Sequence, residues 1–378
     1  MKTVVNTSRI LVGSLFIFSG LVKAIDPLGL AYKMQEFFEV WGNEGMMKSL
    51  MNWLNGQALW FSLLMITLEV VLGVALLLGF KTKPVSWLLL MLMIFFTFLT
   101  SYVLFSGKIR ACGCFGDCIP LTPSQTFTKD IILLLLVLLI LFNKNYIKPI
   151  FPKGITLFLV LFSLLAVSVL QWYVLRHLPL KDCLPYKKGN DLLKLREMPA
   201  DAIPDKYEYS FSYQKNGEKR EFNNGNLPDS SWQYVDRKQT LVQKGKNNVP
   251  LINDFTFTSQ TGTDTTAAIL GQSRAYYLLF INDLDSYPSN WDKDKLFIEK
   301  AVAENKPVYF ITGQPEKVKE KFAGKIMIGG KVYEPLIFTC DVTAIKTAAR
   351  ANPVVFSMKG PVVQGKWSWA DFGEIINN

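Results

Sequence analysis

Charged residues are missing from long stretches of the first half of this chain. Residues 85–106 and 155–175 contain none, and residues 58–80 contain only Glu69. Each stretch is long enough to cross a hydrocarbon layer of about 30 Å as a helix rising about 1.5 Å per residue. These runs exclude a wholly water-soluble protein and indicate a membrane part ahead of a more polar second half.

Two weaker apolar segments predict further spans. Residues 10–25 end near Lys23, whose amine can reach the headgroup region. Residues 131–142 are too short alone, so the residues from 124 onward would have to complete the crossing. We therefore predict an α-helical membrane bundle, with four helices in residues 1–150 and a fifth in 151–176.

Acidic residues are absent from alternate connecting segments. The segments before the first span, between the second and third, and between the fourth and fifth carry lysine or arginine only. This positive-inside pattern predicts a cytoplasmic N-terminus. Five spans then place the C-terminal half on the opposite side, which is the periplasm if the protein lies in a bacterial inner membrane. Because the net charge of +10 follows this pattern, we expect membrane lipid and not nucleic acid as a partner. No small-x-small cleavage pattern follows the first span, so the anchor is expected to stay uncleaved.

Cysteine and histidine are scarce, with five cysteines and one histidine, His177. Three of the cysteines, Cys112, Cys114 and Cys118, lie within seven residues between the third and fourth spans. Clustered thiols at a membrane surface indicate redox or metal chemistry. Three thiolates leave a closed zinc site one ligand short, and we predict no metal.

The sequence CGCFGDC favours redox chemistry. A Cys-x-Cys pair closes a tight ring and is expected to be an oxidising disulfide. Arg110, with Lys108, would lower the pKa of the Cys112 thiol, whereas Asp117 would oppose ionisation of Cys118. Cys118 would resolve a mixed disulfide or pair with a neighbour. The alternative is a structural disulfide that fastens the loop.

The remaining cysteines receive different interpretations. Cys183 lies six residues after His177 and can reach the cluster, with Cys118 as its natural partner. An exposed, unpaired thiol in a linker is the alternative. Cys340 follows a predicted strand and is expected to be a small buried apolar residue.

Glu69 lies in the middle of a predicted span. A carboxylate inside a membrane is a functional candidate because burying its charge is costly. Lys23 is the predicted partner of Glu69; the alternative is that Lys23 only anchors the helix at the membrane interface. If the bundle binds a quinone, Glu69 would relay protons; otherwise it would make a hydrogen bond between helices.

The segments outside the spans predict three kinds of structure. Residues 26–57 predict an amphipathic helix at the membrane surface or, alternatively, an ordinary extramembrane helix that caps the bundle. Residues 177–206 predict a linker. Residues 207–247 form a β-rich lead with a hairpin at Asn216-Gly217. We expect this sheet to pack on its own domain; the alternative is that its aromatic residues, with Trp232–Tyr234, offer a surface to a partner. Residues 248–378 form an α/β domain, with predicted strands at Val249–Phe257, Ala275–Ile281, Val308–Thr312, Leu336–Thr339, Val354–Phe356 and Val362–Gln364, and helices at Lys295–Asn305 and Thr343–Arg350.

Three membrane motifs resemble the DoxX-like family, most closely its methylamine-utilisation MauE branch. They are Ser19-Gly20-Leu21-Val22-Lys23, Leu68-Glu69-Val70-Val71-Leu72-Gly73 and Cys112-Gly113-Cys114-Phe115-Gly116, and the resemblance covers about residues 5–145. It implies a four-helix membrane bundle linked to periplasmic redox maturation or to quinone-linked thiol oxidation. The fifth span and the long C-terminal extension depart from the minimal family, so its partner and substrate do not carry over. A quinone is the candidate cofactor, and a periplasmic client thiol protein is the candidate partner.

The C-terminal third resembles a thioredoxin-like domain of the TlpA and peroxiredoxin type. The matching residues are Pro250–Phe255, Tyr277–Ile281, Cys340-Asp341-Val342 and Asn352–Phe356, and the resemblance implies a cis peptide bond at Pro353. Where this family has Cys-x-x-Cys, the chain has Asn282–Tyr287, and no cysteine lies between Cys183 and Cys340. The domain is therefore predicted to lack redox activity at that position.

The leading hypothesis is a thiol-disulfide or quinone-linked oxidoreductase whose catalytic residues are Cys112, Cys114 and Cys118. The rival hypothesis is a non-enzymatic scaffold or maturation factor, in which the cysteines are structural and the degenerate thioredoxin-like domain binds a client.

Overall fold

A computed structural model describes residues 1–45, 47–109, 113, 115–243, 245–288, 291–324 and 326–377. Five of its helices are long and apolar enough to cross a membrane. They are α1 (Lys2–Ala24), α4 (Ala58–Leu78), α5 (Thr82–Ser106), α6 (Pro123–Phe142) and α7 (Lys153–Arg176). The prediction of five apolar helices is confirmed.

The start of α6 explains how the shortest apolar run becomes a full span. The Thr122 hydroxyl accepts from the Gln125 amide while the Gln125 side chain accepts from the Thr122 amide, a reciprocal capping box. Pro123 occupies the first turn, where its missing N–H costs nothing. The cap therefore places residues 123–130 inside the helix, and α6 reaches 20 residues.

The predicted surface helix is two helices, α2 (Pro27–Asn43) and α3 (Lys48–Gly56). Asp26 caps α2 by accepting from the Gly29 amide, and Pro27 follows it in the first turn. The buried side of α2 includes Phe37 and Trp41, which pack with Leu99 and Val103 of α5. These helices therefore cover one end of the bundle.

Small residues bring α1 and α4 close together. A Cβ added to Gly73 would lie 2.8 Å from the Gly13 carbonyl oxygen, so neither helix tolerates a larger side chain there. The main bundle core beside this contact includes Val12, Leu76 and Val137. At the end of the bundle opposite α2, Arg9 donates to the Leu76 carbonyl at 2.9 Å.

A three-stranded antiparallel sheet follows the last span. Its strands are β1 (Lys206–Lys215), β2 (Glu218–Asn223) and β3 (Gln233–Gln243), in the order β2-β1-β3. The predicted hairpin at Asn216-Gly217 is confirmed, with positive φ at both residues. The expectation that this sheet packs on its domain is wrong, because every residue of β3 is exposed. Its rings pack on each other instead, as in Tyr213 against Phe222 at 5.7 Å.

The C-terminal region is a five-stranded mixed sheet between helices. Its strands are β4 (Ala275–Ile281), β5 (Val308–Thr312), β8 (Leu336–Thr339), β9 (Val354–Lys359) and β10 (Val362–Ser368), and β6 (Met327–Ile328) pairs separately with β7 (Lys331–Val332). The sheet order is β10-β9-β4-β5-β8. Strands β4, β5 and β8 are parallel, and β9 is antiparallel to both β4 and β10.

Alternation along β4 explains the layers. Leu278 and Phe280 face a core with α8 (Thr266–Leu270) and α11 (Val342–Ala348), whereas Leu279 and Ile281 face the opposite core. That second core is covered by α9 (Trp291–Ala303), α10 (Pro315–Phe322) and α12 (Phe372–Asn377). Both faces of the central strand are therefore buried, as its continuous apolar sequence requires.

The predicted strand at Val249–Phe257 and the predicted linker at 177–206 differ from the structure. Val249–Phe257 is not a strand: Pro250 has no amide hydrogen to donate, Asp254 takes a φ of 49°, and Phe255 and Phe257 anchor an irregular segment in the core. The 177–206 segment buries Tyr186 and Leu192 in that same core, and the Leu192 amide donates to the Pro361 carbonyl at 2.9 Å. The segment is thus packed against the domain that follows it.

Candidate functional site

The loop between α5 and α6 carries the predicted thiol site, and its two glycines shape it. Gly113 and Gly116 both take positive φ, 73° and 58°, where a side chain would be strained. The Gly116 amide donates to the Gly113 carbonyl at 2.9 Å and closes a tight turn. Three predicted site residues, Arg110, Cys112 and Cys114, lie outside the described residues.

Phe115 anchors this loop in the membrane bundle. Its side chain is buried and lies 5.9 Å from the ring of Phe18 in α1. The Lys129 ammonium of α6 lies 5.1 Å from the same ring on a cation–π contact. The residue directly after Cys114 therefore links the loop to two membrane helices.

Below Phe115, the bundle contains a small cavity with charged walls. The Lys23 ammonium lies 2.5 Å from Glu69 Oε1, and both side chains are almost fully buried. Ser19 donates to Glu69 Oε2 at 2.9 Å. The prediction that Lys23 is the partner of Glu69 is confirmed.

A second ion pair in that cavity was not predicted from the sequence. Lys129 lies 2.5 Å from Asp130 Oδ1, and Asp130 is 1% exposed. Both residues line the same cavity as Lys23 and Glu69. The argument that identified Glu69, a carboxylate inside a membrane helix, applies equally to Asp130, because the residues from 124 onward belong to the fourth span.

A disulfide joins Cys118 to Cys183, 65 residues later. It connects the thiol loop to the segment after the last span, so the two lie at the same end of the bundle. Of the two alternatives for Cys183, the structure has the pairing with Cys118. Cys118 is thus already bonded outside the Cys-x-Cys pair.

Arg350, just after α11, is the polar centre of the contact between the C-terminal domain and the bundle. Its side chain is 5% exposed, its Nε donates to Asp26 at 2.9 Å, and one terminal nitrogen donates to Asp117 at 2.8 Å. Its guanidinium also lies 5.3 Å from the ring of Tyr32 in α2. Burial opposes the charge, but the carboxylates of Asp26 and Asp117 raise the pKa of Arg350 above its usual value.

Two further contacts fasten the domain near the end of α7. His177 Nδ1 lies 2.6 Å from Asp371, and its ring stacks on Tyr173 at 4.3 Å. Lys366 lies 2.6 Å from Asp182; burial lowers the pKa of Lys366, and Asp182 offsets part of that effect. The only histidine therefore serves the domain contact.

A cleft of about 260 Å³ opens beside Arg350, between α2 and α11. Its lining is mostly hydrogen-bonding side chains and includes Gln35, Glu36, Thr343, Lys346 and Thr347. Asp117 of the thiol loop lines the cleft, and Gly113 lies against Lys33, whose Cγ would be 3.2 Å from an added Cβ. The cleft therefore borders the loop that carries the cysteines.

An apolar groove of about 500 Å³ lies on the bundle between α2, α4 and α5. Its walls are aromatic and aliphatic and include Trp41, Met65 and Phe95. A small neck lined by Lys23 and Phe96 shares residues with the groove on one side and with the charged cavity on the other. Lys23 lies over the Phe96 ring at 4.8 Å. Apolar and charged spaces thus meet at Lys23.

Two other predicted residues have simple environments. Cys340 is buried and unbonded, and burial raises the pKa of its thiol to about 12, which confirms the small apolar role. Pro353 follows a cis peptide bond, as predicted. Just before it, Asn352 accepts from the Asn282 amide at 2.9 Å and donates to Ser286 at 3.0 Å. In the described part of the chain, no three histidine, cysteine or acidic side chains form a group that could hold a metal ion.

The five apolar helices and the folded α/β region at one end define a membrane protein with a large extramembrane domain. Residues 1–143 match the family described as methylamine utilisation protein MauE. Residues 207–244 match a domain of unknown function (DUF8463). The chain is 31% identical over 142 residues to Protein TlpB of Flavobacterium psychrophilum, a match that covers 36% of each protein. No solved structure matches the chain.

Proposed function

We propose that this protein is a thiol-disulfide oxidoreductase of the bacterial inner membrane, acting through the Cys112/Cys114 pair. One observation carries the proposal: the described residues of the thiol loop contact both parts of the protein. Phe115 enters the membrane bundle beside two buried ion pairs, and Asp117 binds Arg350 of the C-terminal domain. A loop between a charged membrane cavity and a folded domain is well placed to pass electrons between them.

The Cys118–Cys183 disulfide indicates which cysteines of the thiol loop would exchange electrons. Because Cys118 is occupied, Cys112 and Cys114 form the exchanging pair, and Cys118 holds the loop. In the proposed exchange, a client dithiol reduces the Cys112–Cys114 disulfide: one sulfur–sulfur bond breaks in the loop and one forms in the client. Two protons and two electrons move to the loop thiols.

A quinone is the proposed oxidant that regenerates the loop disulfide. The residues present fit such a molecule, because the apolar groove suits an isoprenoid tail and its neck ends at the Lys23 ammonium. A bound quinone would accept two electrons and two protons as the dithiol closes. The side chains of Lys23 and Glu69 would then offer hydrogen bonds near the quinone ring. The resemblance of the membrane motifs to DoxX-like proteins also favours a quinone.

The C-terminal domain is proposed to be thioredoxin-like and to bind the client. The strand order, with the antiparallel hairpin β9–β10 next to the three parallel strands β4, β5 and β8, supports this proposal. Asn282–Tyr287 contains no cysteine, so the domain would present a client without exchanging electrons itself. The cleft beside Arg350 would let a bound client reach the loop.

The proposed topology follows from charge. The ends of the bundle near Arg9 and Lys148 carry lysine and arginine without acids, which favours the cytoplasmic side for them. The thiol loop and the C-terminal domain would then face the periplasm, where disulfides persist.

A scaffold or maturation factor is the second candidate, and the Cys118–Cys183 bond favours it because that disulfide ties the domain to the bundle. In this alternative the remaining cysteines would also be structural.

Thiol trapping in cells tests the two functions. The redox state of Cys112 and Cys114 would be followed by mass-tagged maleimide before and after removal of client thiols, with Cys114→Ser as the test variant and Cys340→Ala as the matched control. Cycling that Cys114→Ser abolishes at a normal protein level supports the oxidoreductase. Permanently oxidised or unreactive thiols, or loss of the protein in Cys114→Ser, support the scaffold.

A further inference from the structure

The buried Asp130 carboxylate has only one of its two oxygens satisfied. Oδ1 lies 2.5 Å from the Lys129 ammonium, whereas Oδ2 has no hydrogen-bond partner among the residues that the structure describes. Asp130 is 1% exposed and lies within a membrane helix. A buried carboxylate oxygen without a donor is costly, so its presence points to a proton or a small donor that occupies it during function.

The cavity around Asp130 has the size and chemistry for proton transfer. It has room for about one water molecule, which is too small for an organic ring. Ser19, Lys23, Glu69 and Lys129 supply polar atoms, and Phe115 of the thiol loop is part of the wall. The cavity therefore connects the residue after Cys114 with the Lys23 neck of the apolar groove.

Asp130 has an acceptor oxygen without a hydrogen-bond partner among the described residues, whereas Glu69 does not. Both oxygens of Glu69 already accept hydrogen bonds, from Lys23 and from Ser19. Asp130 has the free oxygen and adjoins Lys129, which contacts Phe115. The charged groups that line the cavity with Asp130 are Lys23, Glu69 and Lys129. Lys23 pairs with Glu69, and Lys129 pairs with Oδ1 of Asp130.

We propose that Asp130 is the proton-relay residue for oxidation of the thiol loop. When the Cys112 and Cys114 thiols close to a disulfide, two electrons and two protons leave them for the quinone-class acceptor. The protons pass through Oδ2 of Asp130, and then along Glu69 and Lys23 to the neck. This inference rests on the proposed function, because it needs the loop thiols to be oxidised.

The test is single-turnover oxidation of the full-length chain in lipid nanodiscs. The loop would be reduced, freed of reductant and mixed with a short-chain ubiquinone analogue, and quinone reduction would be followed by absorbance from pH 5 to 9. We compare wild type with Asp130→Asn, Asp130→Glu and the control Glu44→Gln, a carboxylate outside the cavity that pairs with Lys108. Asp130→Asn should slow oxidation about 100-fold and flatten the pH profile, because a positioned proton acceptor contributes roughly 10²–10⁴-fold.

Asp130→Glu should restore most of the rate with a shifted profile, and Glu44→Gln should match wild type. A wild-type rate and pH profile in Asp130→Asn would overturn the inference while leaving the proposed function intact. No oxidation of the wild-type loop by the quinone analogue would overturn both.

A second measurement tests the inference even if Asp130→Asn fails to fold. Infrared difference spectra of wild type and Asp130→Glu, recorded between the reduced and oxidised loop, should contain a carboxyl C=O band that shifts between the two proteins. The same band in both would assign the proton elsewhere and overturn the inference.

Discussion

The guanidinium of Arg350 donates to the carboxylate of Asp117 at 2.8 Å across 233 residues of sequence. Asp117 lies in the CGCFGDC loop, and Arg350 lies just after α11 in the C-terminal domain. The same guanidinium holds Asp26 at the start of α2. One buried cation thus joins the thiol loop, the surface helices and the extramembrane domain, and the adjacent Cys118–Cys183 bond makes this junction covalent.

Arg350→Gln should loosen the C-terminal domain from the bundle. It leaves Asp26 and Asp117 without their shared cation, and breaking a buried pair costs about 3–5 kcal/mol, which we reduce to about 2–4 kcal/mol because Asp117 is 40% exposed. Thermal unfolding in detergent and limited proteolysis within 177–206 would measure the effect.

The matched control is Arg274→Gln, an exposed arginine of the same domain that bonds Gln272. It should change the unfolding free energy by less than about 0.5 kcal/mol. Equal losses in the two variants would contradict the assigned role of Arg350.

Cys183→Ser should destabilise the oxidised protein by about 4 kcal/mol, because a closed loop of 65 residues restricts the unfolded chain by roughly that amount. Cys118→Ser and the double variant should lose the same amount, since each removes one bond. Melting with and without reductant measures this. A double variant that loses twice as much as either single variant would refute the pairing, and Cys340→Ala should leave the effect of reductant unchanged.

Lys23→Met should destabilise the membrane bundle by about 3–5 kcal/mol, because it leaves Glu69 charged and buried without its cation. Combining it with Glu69→Gln should recover part of that loss, as the double variant removes both charges. Reversible unfolding in bicelles measures the coupling. The half-buried Lys33–Glu36 pair outside the bundle core is the control and should show a coupling of less than about 1 kcal/mol.

The Cys340 thiol should resist alkylation in the folded protein up to about pH 10. Burial raises its pKa to about 12 from a usual value of 9.0, so the folded state keeps the neutral thiol. Between these values the unfolded state releases the proton more readily. The stabilising contribution is therefore complete below pH 9 and is lost as the pH rises towards 12.

Iodoacetamide labelling, followed by mass spectrometry at pH 8 and pH 10, measures the folded thiol directly. Denaturant unfolding across the same range should show stability falling with pH, less steeply in Cys340→Ala. Rapid labelling of Cys340 in the folded protein at pH 8 would contradict its burial.

The sequence alone determined the five apolar helices and most of the C-terminal strands. Long runs without charge favour membrane helices, because a helix satisfies its backbone hydrogen bonds within one segment. Continuous apolar runs such as Ala275–Ile281 need burial on both faces. The pairing of Lys23 with Glu69 also followed from the sequence, since a buried carboxylate needs a cation and few were available.

Only the tertiary structure decided what these elements bring together. Arg350 and Asp117 are distant in sequence, and nothing in a local pattern states which of many surface charges will meet. Likewise, Asp130 gains its significance from helix packing that closes a cavity around it and Glu69. Periodicity and composition indicate which faces of a segment are buried and which contact water or lipid. A site made from several segments depends instead on how those segments pack together.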